Sequence, residues 1–369
     1  MIKFFDSPSV KNAMSKILLA FIFYTVAAAS FNGFFVKWKF RDLEENHSFE
    51  MMYDETASRP YIHRQLMLAT AKEIKSLMTP QQQQNFLNFF QPIDIFTNLS
   101  HRKSFIEDSY TNTKILSRYA VEYHIVYFMA FGFLFLSMFI WRQIGIELTN
   151  SPTAGTLTAC TFAIIFPLLE TVGGFFYDFG ELFFLSLATL LAIKGYWLAL
   201  ILISPIAEYN KESFLFFIVT LFPLFAEKFS KTRTALILTA AIFLSGVVYL
   251  YVSNLYIGNS GGSTEFQFFK HLEFIFSGWF NIEISYSTIF GAGMFLPHIL
   301  IFVWILKCTW KKILPTWKNH LKISAVINFP LYIAFCYPGE LRNLSLMYIS
   351  FIAMLSIFIK EVINIEQKN

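Results

Sequence analysis

The chain has 369 residues, 55% of them hydrophobic, with 46 phenylalanines, a mean hydropathy of +0.50 and a formal net charge of +4. That composition excludes a disordered chain and an ordinary soluble domain. The charge is too small to call for a nucleic-acid partner, and the basic residues have a simpler use as determinants of membrane topology.

Apolar runs near helix-spanning length, separated by charged connectors, predict an all-α polytopic membrane protein forming a single membrane domain over 1–369. The runs do not alternate apolar and polar residues as barrel strands would. Residues 1–16 carry Lys3, Lys11 and Lys16, a basic flank that predicts a cytoplasmic N-terminus. The first span, 17–36, reads as a retained anchor. Residues 37–118 then form a large outer loop, too long for an idle connection. Within it, Leu66, Ile74, Leu77 and Met78 predict an amphipathic helix over 63–78 that stops at Pro80, and the aromatic segment 85–90 suits a membrane surface.

Spans follow at 120–141 and 154–169. The stretch 181–207 reads either as one long helix or as two short segments turning at Lys194 and Gly195. The later charges choose the turn, because it puts Lys228, Lys231, Arg233, Lys307, Lys311, Lys312, Lys318 and Lys322 inside, whereas one long helix puts them all outside. With spans at 214–226, 234–252, 287–306, 323–336 and 344–359, this makes about ten membrane segments, some short or broken, with a large, partly helical first outer loop and both termini cytoplasmic. Cys160, Cys308 and Cys336 lie in or beside apolar runs with no CxxC or zinc spacing, so they read as small buried hydrophobes. No metal ligand set is predicted, and the cofactor is left open.

On this topology the unusual polar motifs share the outer side. Arg59 and Arg64 flank a short segment before the amphipathic helix; they are either solvated charges at a helix start or two planar donors for an anionic group. Asp42 and Asp54 are acids of the first outer loop, either solvated or able to take a proton from a hydroxyl. Asp178 and Glu181 lie at a helix entry beside Gly173, Gly174 and Gly180; Asp178 suits a cap, and the glycines suit tight turns. Asn210 suits the N-cap of the next span, and Lys211 and Glu212 suit mutual pairing. Glu340 and Arg342 open the last span, where Arg342 either holds a phosphate or snorkels to the lipid surface.

Four of these segments, RPYIHRQLM at 59–67, YDFGELFF at 177–184, NKES at 210–213 and GELRN at 339–343, occur in this order. Together they resemble poorly characterised bacterial membrane proteins classed as GT-C-type glycosyltransferases, over a region from about Asp42 to Asn343. The resemblance implies an enzyme at the outer face of a bacterial cytoplasmic membrane. It would move a sugar from a polyprenyl-phosphate-linked donor to a glycan or lipid acceptor, with an acidic catalytic residue in the first outer loop. No Asp-Asp or Glu-x-Asp pair directly follows the first span, so Asp42, Asp54 and Asp178 all stand as base candidates. Arg59, Arg64, Glu181, Asn210, Lys211, Glu212, Glu340 and Arg342 stand as the substrate-binding set. An O-antigen-type polymerase or ligase, a transporter or flippase of lipid-linked or anionic substrate, and a purely structural membrane subunit are the competing classes. A transporter calls for polar residues through the membrane depth, and the motifs instead gather at one end.

Overall fold

The computed structural model describes residues 8–42, 44–90, 118–261, 265–277, 279–280, 282–285, 288–293 and 295–367. Apolar runs with no internal partner for their backbone close into helices, and helices dominate the chain. In order they are α1 (Pro8–Trp38), α2 (Phe49–Tyr53), α3 (Leu66–Ser76), α4 (Pro80–Phe90), α5 (Ala120–Thr149), α6 (Pro152–Leu169), α7 (Phe176–Lys194) and α8 (Trp197–Asn210). There follow α9 (Phe214–Thr220), α10 (Phe222–Ala226), α11 (Lys231–Leu255), α12 (Phe268–Ser277), α13 (Leu296–Thr309), α14 (Pro315–Phe335) and α15 (Tyr348–Glu366), the last preceded by a 3-10 segment, Leu341–Met347. Among the described residues, six helical stretches are long and apolar enough to cross a membrane: Lys11–Trp38, Ala120–Thr149, Pro152–Leu169, Phe176–Lys194, Lys231–Leu255 and Leu341–Glu366. Trp197–Asn210, Phe214–Ala226 and Leu296–Thr309 are shorter apolar helices. The chain is a helical membrane protein.

Helix boundaries follow local chemistry. Ser151 and Ser230 accept the Ala154 and Arg233 backbone N–H groups at the starts of α6 and α11. The chain breaks between α7 and α8 at Gly195, whose φ of +75° supplies the left-handed residue that ends α7. The two-segment reading of 181–207 therefore describes the backbone.

Three sequence expectations change. The amphipathic helix is α3, shorter than 63–78 and ended before Pro80, which opens α4 as a first-turn proline rather than stopping a helix. The expected span 287–306 begins instead as a strand: β2 (Thr288–Gly291) pairs antiparallel with β1 (Ile282–Ser285), and the helix starts only at Leu296. The β-branched Ile282, Ile284, Thr288 and Ile289 favour that pairing. Residues 91–117 of the first loop lie outside the described residues.

Aromatic side chains fill the bundle. Phe23, Phe31, Phe34 and Phe35 of α1 are buried and meet Phe139, Tyr127 and Phe179 from α5 and α7 at ring separations of 4.7–5.1 Å. In lipid such contacts bind helices by packing rather than by escape from water, which puts a premium on large rings that interlock. The outward faces stay apolar: Ile17, Leu18, Phe21, Leu236, Phe243 and Leu250 are all exposed on helices of spanning length.

The packing sorts the connections by end. At one end Lys194 pairs with Glu147 at 2.5 Å, Lys312 with Glu361 at 2.5 Å, and Lys360 donates to the Thr149 carbonyl at 2.7 Å. At the other end the C-terminus of α1 docks on the α6–α7 bend. Lys37 donates to the Thr171 carbonyl at 2.6 Å, Trp38 to Glu170 at 2.7 Å and Arg41 to Gly174 at 3.0 Å. Three carbonyls of an irregular bend are thereby satisfied by side chains from the start of the first loop, which ties that loop to the bend.

Candidate functional site

Segments remote in sequence converge on this end: the 3-10 turn before α3, the α6–α7 bend, the α8–α9 connection and the 3-10 segment before α15. Lys211 is buried, and its ammonium reaches Asp178 at 2.8 Å and Glu181 at 2.5 Å. Glu181 also accepts from Ser345 at 2.7 Å and from Ser213. Burial works against the Lys211 charge, but Asp178 and Glu181 outweigh it and raise its pKa. Arg64 forms a two-pronged pair with Glu212, at 3.0 and 2.5 Å, and donates to the Tyr177 hydroxyl at 2.5 Å. Burial pushes Glu212 up, and Arg64 more than reverses this, holding its pKa at about 2.

Arg342 is held differently. It is 4% exposed, too deep to snorkel, so that expectation fails. Its contacts are long: 3.4 and 3.5 Å to the Asp178 carboxylate and 3.5 Å to Glu340. Its Nε has no hydrogen-bond partner among the described residues. Glu340 makes its short bond to Asn343, at 2.8 Å. A buried guanidinium with stretched and missing bonds is under-satisfied, and leaving a buried charged donor unmet is costly.

Beside it lies Glu170, 0% exposed, with neither carboxylate oxygen hydrogen-bonded among the described residues. Burial, reinforced by Asp178, pushes its pKa well above the usual carboxylate range, with Arg342 and Lys211 only partly offsetting the rise. Glu170, Asp178, Glu181, Arg342, Ser345 and Tyr348 line one crevice, with Phe166 and Leu182 as apolar walls. The crevice is closed around its own side chains, with no room for even a water molecule between them.

The glycines work by letting groups approach, since none of Gly173, Gly174 and Gly180 has positive φ. A Cβ on Gly173 would lie 2.9 Å from Glu340 and 3.1 Å from Arg342 Nε. Gly180, inside α7, makes room for the Asn210 amide, which donates to the Tyr177 carbonyl at 3.0 Å. Asn210 thus ends α8 and pins α7 instead of capping the next helix, and Lys211 and Glu212 each find a different partner instead of one another. Asp178 does serve the start of α7, accepting the Phe175 N–H at 3.0 Å, while also carrying its ion pairs.

An aromatic column rises from this cluster. Tyr177 stacks on Phe175, Phe175 on Tyr61 and Tyr61 on His47, at 4.6–5.2 Å. Arg41 lies over both Trp38 and Phe175, and Glu44 pairs with Arg41 and His47 at 2.6 Å each.

The first-loop candidates separate from one another. Arg59 does not converge with Arg64: it donates to the backbone carbonyls of Asn259 and Gly261, at 3.1 and 2.8 Å, and so anchors the first loop to the loop after α11. Asp54 is engaged by Tyr119 at 2.5 Å and by Arg118. Asp42 accepts from Tyr123 at 2.9 Å, while its other oxygen is buried without a partner. Burial raises the Asp42 pKa to about 7, with Glu50 adding to the rise and Tyr123 and Lys39 opposing it.

The sequence motifs thus deliver Arg64, Asp178, Glu181, Asn210, Lys211, Glu212, Glu340 and Arg342 to one region. Glu170 carried a sequence signal, an acid at the end of an apolar run. Ser345 carried none. Among the described residues, no group of three or more His, Cys, Asp or Glu side chains is placed to hold a metal ion. Comparison with protein-family models, with curated proteins and with solved structures finds no match for this chain.

Proposed function

We propose that the protein is a glycosyltransferase of the bacterial cytoplasmic membrane, using a polyprenyl-phosphate-linked sugar and a glycan or lipid acceptor at the outer face. The observation that carries this reading is Arg342, a buried cation with an unpartnered Nε and only long polar contacts, lining one crevice with Glu170, Asp178 and Glu181. A phosphoryl oxygen supplies the short, charge-assisted bonds that Asp178 and Glu340 do not. Arg64 and Lys211, already well paired, hold the surrounding carboxylates in place. Stabilising the departing phosphate is the main electrostatic task of such a transfer.

Removal of the acceptor proton falls best to Asp42. Its pKa near 7 matches a base working at neutral pH. Its neighbours Trp38 and Arg41 are bonded to the bend that carries Glu170. Asp54 is already committed to Tyr119 and Arg118, and Asp178 to two cations and a backbone N–H.

Sugar transfer from radiolabelled polyprenyl-phosphate sugars, measured on purified protein in lipid vesicles, tests the reading through Arg342→Lys. Lysine keeps the charge but loses the planar fork. Donor KM is expected to rise by roughly 10-fold to 100-fold with the protein still folded. An unchanged KM removes Arg342 from the donor site. The orientation has its own test: reporter fusions after Asn210 and Tyr337 should read outside, and fusions after Lys231 and Lys318 inside. A cytoplasmic signal at Asn210 would place the cluster on the wrong face for an outer-leaflet donor.

A further inference from the structure

Glu170 has no role in the reading above, yet it is the most costly polar group of the crevice. It is fully buried, and both of its oxygens are without a hydrogen-bond partner among the described residues. An ionised carboxylate in that state would face desolvation with no hydrogen bond to offset it and only partial relief from Arg342 and Lys211. Asp178 and Glu181 of α7, both paired with Lys211, would add repulsion. A protonated carboxyl avoids both penalties and gains an O–H donor. The bend that carries it is fixed in place, because Trp38 and Lys37 bind the carbonyls of Glu170 and Thr171. The residue is therefore held at the crevice rather than free to swing to water.

Two unused donors then share one crevice: the Nε of Arg342 and the O–H of a neutral Glu170. The acceptors nearby are already spoken for. Glu181 takes Lys211, Ser213 and Ser345, and Asp178 takes Lys211, Arg342 and the Phe175 N–H. A pair of donors in a crevice whose own acceptors are occupied selects an incoming acceptor, and one of the two donors is cationic, so the acceptor is an anion.

We infer that Glu170 is a proton-bearing ligand for the phosphoryl group of the substrate, donating its carboxyl hydrogen to one phosphoryl oxygen while Arg342 engages another. This rests on the assignment of Arg342 to a phosphate. It adds a condition of its own: the subsite is competent only with Glu170 protonated. An ionised Glu170 loses its donor and sets a further negative charge against the phosphate, beside Asp178 and Glu181. The groups that face Glu170 are Asp178 and Glu181 of α7, Lys211 after α8, Arg342 of the 3-10 segment and Tyr348 of α15, with Lys37 of α1 bonded to the same bend. The sign follows: phosphoryl binding is full below the Glu170 pKa and falls as pH rises through it.

The test is a binding titration that needs no sugar transfer. Full-length protein in nanodiscs is titrated calorimetrically with farnesyl phosphate, farnesol and inorganic phosphate, from mildly acid to alkaline pH. Wild type should bind farnesyl phosphate and lose roughly tenfold or more of that affinity toward alkaline pH. Glu170→Gln keeps an N–H donor of the same shape but does not titrate, so its affinity should hold at alkaline pH. Glu170→Leu should be weak at every pH, and its monodisperse elution shows that folding is not the cause. The second ionisation of the phosphate, near pH 6, is common to all variants and cancels in the comparison. Inorganic phosphate binding with the same pH profile identifies a phosphate subsite that does not need the lipid tail; preference for farnesyl phosphate identifies a lipid phosphate. Either outcome supports the role of Glu170. Parallel pH curves for wild type and Glu170→Gln overturn it, as does equal binding of farnesol. Loss of sugar transfer with this binding behaviour intact would sink the glycosyltransferase reading and leave the phosphoryl subsite standing.

Discussion

Asp42→Asn is expected to lower sugar transfer by about 10²–10⁴-fold, the usual loss when a general base is removed. Wild-type turnover should rise as pH passes about 7, because the carboxylate works only when deprotonated and burial has lifted its pKa to that point. The variant should lack this rising limb. Stability moves the other way, which separates the two roles. A carboxyl whose folded pKa lies above its unfolded value of 3.8 stabilises the fold when protonated. That contribution is full at acid pH and is lost as pH climbs from about 4 to about 7. Asparagine does not titrate, so the variant should melt at or above the wild-type temperature at neutral pH while losing activity. A variant that turns over donor and acceptor at the wild-type rate would return the base to Asp54, or to Glu44 at the head of the aromatic column.

Lys211→Met should produce the largest loss of stability. It removes the ammonium that bridges Asp178 and Glu181 in a site where Lys211 is 4% exposed. Removing one partner of a buried ion pair costs about 3–5 kcal/mol, because the charge left behind has neither water nor counter-ion. Asp178 would keep only the long Arg342 contact and the Phe175 N–H, and Glu181 only two serine hydroxyls. The measurement is the thermal midpoint of the purified protein in detergent. The triple variant Lys211→Met, Asp178→Asn, Glu181→Gln should recover part of the loss, since it removes the stranded charges as well. A single variant that melts with wild type would mean that the carboxylates are neutral without Lys211, and that the cluster is not held together by ion pairing.

Much of the fold was legible from local chemistry. Hydropathy over a helix length marks the spans, because a backbone in lipid has few ways to satisfy itself. The break at Gly195 followed from charge bookkeeping, and the left-handed residue there is a local matter. Hydropathy misled at 287–306, where β-branched residues favour a hairpin over the first turns of a helix.

For the cluster, the sequence motifs named segments that pack together but not the partners their side chains take. Arg59 and Arg64 stand five positions apart and read as a pair, yet one guanidinium binds backbone carbonyls of a distant loop and the other binds Glu212. Lys211 and Glu212 are neighbours in the chain and pair with different segments, Asp178 and Glu181 in one case and Arg64 in the other. By itself the sequence determined that charged residues would gather at helix ends, because lipid excludes them from the middle. Which cation meets which carboxylate, that Arg342 is buried with an idle Nε, and that Glu170 has no partner were decided only when four separate connections packed against one another. Ion pairing depends on distances of a few ångströms between residues from 30 to 164 positions apart, and no local propensity carries that information.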